Sequence, residues 1–172
     1  MKKIYFKFLL LFFLTFFSTQ VFACNIKFRN FGSSPDSLKI NPPPLTIPDP
    51  LGGFNILTSI SSLCPQNKEL FGTMVSLFYI NNELVEIRLE RYNKNDRVLM
   101  ELGIARYGDF KRSLGIDRNK WQGAHTWQNS SEIINYLATP IQGGSTEKLN
   151  ITSKTHINKI SDYFLRKEQW KK

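Results

Sequence analysis

Apolar and polar residues alternate along much of this chain, and alternation at every second position is the mark of a strand with one buried and one wet face. Residues 25–31 alternate, with Ile26 and Phe28 on one side. Residues 70–80 are rich in apolar and β-branched side chains, and Asn81-Asn82 follows, a pair that tolerates the positive φ of a tight turn. Val85, Ile87 and Leu89 then alternate with Glu86, Arg88 and Glu90. The pattern predicts a hairpin whose wet face carries a ladder of ion pairs. Residues 125–138 predict a second hairpin around Asn129-Ser130-Ser131, and Leu149 and Ile151 mark a strand over 148–153.

Helical spacing takes over elsewhere. Within 54–63, Leu57, Ile60 and Cys64 are spaced for a helix, and the segment is read as one, although its Ile and Thr content also permits a strand. Val98, Leu99, Leu102 and Ala105 form an apolar stripe, with Asn93 or Asn95 as the N-cap and Gly108 as the stop. Ile157, Ile160 and Phe164 predict a terminal helix that ends in a frayed basic tail at 166–172. Between these elements lie a capped turn at Ser34-Pro35, a proline-rich extended loop at 41–53, a basic connector at 109–123 and a glycine-containing loop at 140–145.

Strands and helices in this order leave no room for a parallel sheet. They predict an α+β domain: an antiparallel sheet of two hairpins and additional strands, with two or three helices packed on one face. The layout resembles small bacterial envelope modules of helix-plus-sheet type, such as β-lactamase-inhibitor-like folds. No motif carries that likeness, so it implies no residue roles.

The first residues stand outside this pattern. Lys2, Lys3 and Lys7 precede a short apolar run at 8–17, and Val21 and Ala23 place small side chains three and one before Cys24. That is the build of a cleavable signal peptide at 1–23, ahead of a single domain at 24–172. The apolar run is about half the ~20 residues that a spanning helix needs. Export places the domain in the periplasm or outside the cell. Removing the signal takes away seven of the fourteen Phe residues and three lysines, leaving 20 basic against 14 acidic side chains, a balance of +6.

Cys24 and Cys64 are the whole cysteine inventory. In an oxidising compartment they are expected to form one disulfide, closing a loop of about 40 residues. The alternative is a lipid on Cys24, as the first mature residue. Val21-Phe22-Ala23 fits a lipobox only in part, because Phe22 is bulky and the usual Leu is missing. Membrane contact is expected only with that lipid or with a retained signal.

Reactive groups are sparse. His125 sits between Trp121 and Trp127, and His156 opens the last helix. No serine has a nucleophile-elbow setting, and two cysteines with two distant histidines show no metal-ligand spacing. A non-enzymatic binding protein with no metal or other cofactor is expected, of the inhibitor, immunity or envelope-assembly kind. A structural subunit of an envelope complex and a cell-wall hydrolase using paired carboxylates are the other readings. Exposed aromatics anchor interfaces, so Trp121, His125 and Trp127 are read as a binding surface.

Charge changes the picture once more. Residues 91–120 and 154–172 each carry a surplus of +4. Arg106, Lys111, Arg112, Arg118, Lys120, Arg166 and Lys167 are the basic patch residues. They point to another protein or an anionic envelope polymer as partner, and an exported chain has little call for nucleic acid.

Overall fold

The computed structural model describes residues 30–38, 48–93, 96–111 and 117–170. The domain is α+β, with one antiparallel sheet of six strands: β1 (Gly53–Ser59), β2 (Thr73–Ile80), β3 (Glu83–Asn93), β4 (Gly123–Gln128), β5 (Glu132–Ile141) and β6 (Gly144–Ser153). Their order across the sheet is β1-β2-β3-β6-β5-β4. Two three-stranded meanders thus meet where β3 pairs with β6. Among the described residues, three helices accompany the sheet: α1 (Ile60–Leu63), α2 (Val98–Tyr107) and α3 (Ile157–Trp170).

The expected first hairpin is present. Asn81 and Asn82 take φ values of 52° and 63°, so the turn twists with its strands. Opposite Tyr79 stands Leu84, and opposite Phe78 stands Glu86, which leaves Val85 as an extra residue on β3. This bulge turns Val85 to the sheet face opposite Leu84. The second hairpin is also present. Its turn is held by Asn129 Oδ1, which accepts from the backbone N–H groups of Ser131 and Glu132 at 2.9 and 2.8 Å.

One face of the sheet carries the main core. Ile56, Leu77, Ile87, Leu89, Ile134 and Ile151 project from it and are buried. Ile60 from α1 and Leu99, Met100 and Leu102 from α2 pack against them. Two helices therefore cover one face. The third, α3, crosses the other face at the hairpin end, where Tyr163 meets Phe78, Ile80 and Val85. Both faces of the sheet are dry at that corner.

Several expectations need correction. Residues 54–63 are a strand followed by a single helical turn, not one helix. Phe54 and Ile56 alternate with exposed Leu57 along β1, and pairing with β2 outweighs the weak helical spacing. The loop expected at 140–145 shrinks to a two-residue turn, because Gly143 takes φ 79° and the pairing continues to Ile141 opposite Gly144. The terminal helix runs to Trp170, so Arg166 and Lys167 are helical. Of the strand expected over 25–31, residues 25–29 lie outside the described residues and Phe31 sits in a turn. Most of the proline-rich loop, Asn95 and Arg112 also lie outside them. Ser34 does cap the short turn at Pro35–Ser37, with its Oγ 3.3 Å from the N–H of Asp36.

Candidate functional site

The aromatic residues chosen from the sequence are brought together, but in the interior. Trp121 and Trp127 are only 8% and 7% exposed. The expectation of an exposed aromatic anchor fails for both. Phe110 wedges between them with ring centroids 5.3 and 5.4 Å away, and Trp127 donates from Nε1 to the carbonyl of Gly108 at 2.8 Å. Their role is to seal the end of α2 against β4. His125 is half-buried and stacks on Phe110 at 4.1 Å. Burial holds its imidazole below the usual range, as expected for a ring that loses water when charged.

The basic residues do not form one surface. Arg106 lies in the last turn of α2 and Lys111, Arg118 and Lys120 follow that helix, whereas Arg166 and Lys167 ride on α3 across the sheet. Arg118 is tied to Glu101 at 2.6 Å. Lys167 reaches Asp49 at 3.0 Å and the hydroxyl of Tyr163 at 2.7 Å. On the sheet's open face the expected ion-pair ladder is present, with Arg88 on Glu86 at 2.7 Å and Lys148 on Glu90 at 3.2 Å. Cys64 is buried where α1 ends, and Cys24 lies outside the described residues.

Two residues overlooked in the sequence dominate the polar interior. Glu147 points inward from β6 and is buried completely. Its carboxylate accepts from the hydroxyl of Tyr136 at 2.7 Å, from the backbone N–H groups of Met100 and Leu99 at 3.0 and 3.2 Å, and from the side-chain amide of Asn93. A strand residue thereby caps the N-terminus of α2, a task expected of Asn93 or Asn95. The residue at the N-cap itself is Arg97, which makes no side-chain cap. Burial pushes the Glu147 carboxyl above its ordinary value, against the pull of these donors and of the Arg97 charge.

Arg97 is 4% exposed and is gripped from three sides. Its Nε donates to the carbonyl of Trp121 at 2.9 Å, and its Nη1 donates to the carbonyl of Asp96 at 2.9 Å and to Ser145 Oγ at 2.7 Å. Among the described residues, no acceptor meets Nη2.

Arg97 forms part of two adjoining cavities. One, of 340 Å³, is polar: Lys120, Gln122 and Asp117 line it, with Gly144 and Ser145 at the strand end. The other, of 250 Å³, has apolar walls from Leu70, Val98 and Leu102, and its rim carries Glu69, Asp96 and Glu101. Asn119 borders both. Gly144 permits this architecture, since a Cβ there would lie 2.4 Å from the carbonyl oxygen of Asn93. Among the described residues, no cluster of His, Cys, Asp and Glu is arranged to hold a metal ion, and no helix is long and apolar enough to cross a membrane. No protein-family model, curated protein or solved structure matches the chain.

Proposed function

We propose that this chain is an exported, non-enzymatic binding protein that engages its partner through the double cleft at Arg97. The observation that carries the reading is the use made of buried charge. Glu147, the carboxylate best placed by burial to act as an acid, spends its oxygens on four protein donors and caps a helix. Arg97, by contrast, is fixed by its surroundings and still has donors to offer. A rigid, partly unsatisfied cation beside an apolar hollow is equipment for recognition. The signal-like first 23 residues supply the export half of the proposal. A Cys24–Cys64 disulfide belongs to the same reading.

Affinity capture from an envelope fraction tests it, with wild type compared against Lys120→Glu. A partner retained by wild type and lost by the variant is the expected result. A partner retained equally by both would move the contact surface elsewhere.

A second reading, hydrolysis of cell-wall material, draws on Glu69, Asp96 and Glu101 sharing one rim. Against it, Glu101 is held by Arg118 at 2.6 Å and Asp96 lies 3.8 Å from Arg91. Both carboxylates are thus engaged by neighbouring arginines instead of facing each other across a substrate position. Cell-wall turnover by the purified protein that disappears in Glu69→Gln would reinstate it.

A further inference from the structure

We propose that the cleft at Arg97 takes a monocarboxylate carrying an apolar group beside the carboxylate, as the last residue of a peptide or a small free acid does. The inference rests on the binding-protein reading above and names the chemistry of its site.

The argument begins with the guanidinium. Three of its five N–H bonds are spent on Trp121, Asp96 and Ser145. Those contacts fix the plane of the group, so little side-chain freedom is left to lose on binding. The two N–H bonds of Nη2 have no acceptor among the described residues. Arg97 as a whole is 4% exposed, yet Nη2 is not among the sealed, unbonded polar atoms, so its two N–H bonds are open to an incoming acceptor. Where Arg97 lines the polar cavity, it therefore offers an anion a donor already held in place.

Neighbouring charges set the valence of the anion. Lys120 has no ion-pair partner among the described residues and lines the same cavity. Asp117 opposes it there, and the three carboxylates of the second rim lie beyond Arg97. Arg118 and Arg91 offset Glu101 and Asp96, so Asp117 and Glu69 remain beside Arg97 and Lys120, a balance that suits a single negative charge better than a doubly charged phosphate. Since Nη1 is fully used, Arg97 offers one nitrogen instead of a two-pronged fork, so the second carboxylate oxygen falls to Lys120 or Gln122.

The adjoining hollow sets the rest of the ligand. Its walls are Leu70, Val98 and Leu102, and it joins the polar cavity at Arg97 and Asn119. A group attached next to the carboxylate can enter it without leaving the salt contact. Together, 340 and 250 Å³ lie within the range of small-ligand sites.

The test is a titration of isotope-labelled protein followed by amide NMR. The probes are N-acetyl-leucine, its uncharged amide, acetate and the tripeptide Gly-Gly-Leu. N-acetyl-leucine is expected to shift the amides of Asn119, Lys120, Gln122, Gly144 and Ser145. The uncharged amide and acetate should each bind about tenfold more weakly. Lys120→Glu should weaken the acid by a similar factor with an unchanged melting temperature, because that side chain is exposed. Tighter binding of Gly-Gly-Leu than of N-acetyl-leucine assigns the site to chain termini. Equal binding assigns it to free acids, and either supports the proposal. Equal shifts from acid and amide, or no shift from any probe up to about 10 mM, would overturn it. Partner capture that persists in that event would leave the binding function standing and remove only its carboxylate chemistry.

Discussion

Glu147 shows how one side chain can organise a domain. It joins β6, β3, β5 and the start of α2 through one carboxylate, and its neighbours supply donors only. Glu147→Gln turns one acceptor into a donor facing another donor, so urea unfolding should show a loss of about 2–4 kcal/mol. The group also gives stability a pH slope. Its folded proton affinity is raised above the ordinary value of 4.5. The folded state thus holds the proton more tightly, and its contribution is full below 4.5 and falls as pH rises from there. The glutamine variant should lack that slope. Gly103 offers a second residue-scale prediction. Alanine normally favours a helix over glycine by about 1 kcal/mol, yet a Cβ at position 103 would lie 2.8 Å from the Trp127 ring. Gly103 and Trp127 are both buried, so Gly103→Ala should destabilise by about 1–3 kcal/mol in thermal melts. Part of this was legible in the sequence. The alternation that marks Leu149 and Ile151 extends back to Glu147 and Ser145, all buried along β6. A glutamate on the apolar side of a strand is the signal that a buried polar centre leaves. Arg97 left no such trace, because its burial depends on the Trp121 carbonyl and Ser145, both distant in sequence.

At the scale of elements, α3 is fastened to the domain partly through one pH-sensitive carboxylate. Tyr163 and Lys167 both bond Asp49, which also accepts from the N–H groups of Gly53 and Leu51 at 2.9 and 3.0 Å. Burial would raise the Asp49 carboxyl, but these donors win and lower it from 3.8 to about 2. A depressed carboxyl contributes fully above 3.8, and the contribution is lost as pH falls towards 2. Its side chain is 22% exposed, so solvent screening trims the effect to about 1–2 kcal/mol. Asp49→Asn should remove that acid dependence and speed hydrogen exchange in α3 ahead of the sheet. The two hairpins were readable because turn chemistry and alternation agree within each. By contrast, β1 mixes both periods, with exposed Leu57 in the strand and a helical turn at its end, so helical spacing predicts the wrong element there. Nothing local in the α3 sequence announces that it crosses the sheet to the second face. That placement is set by Phe78, Ile80 and the bulged Val85, residues on another hairpin.

For the whole molecule, the fold and the proposed function meet at one division of labour. The aromatic cluster and Glu147 hold α2 onto the sheet, and that packing leaves Arg97 where the two parts of the cleft join. The sequence led to Trp121 and Trp127 as a surface because aromatic residues serve cores and interfaces alike, and burial alone separates the two uses. It also carries the export reading, which concerns residues outside the described ones. Cys64 belongs to the main core, so a bridge from Cys24 would fasten the mature N-terminus to the packed interior and contribute about 3–4 kcal/mol. Intact mass of the full chain expressed in a bacterial host and recovered from its extracytoplasmic fraction tests the central claim most directly. The account predicts a protein beginning at Cys24 whose mass rises by two hydrogen atoms when a thiol reductant opens the disulfide. A chain that retains residues 1–23 inside the cell, or one that carries a diacylglycerol-sized addition at Cys24, would contradict it.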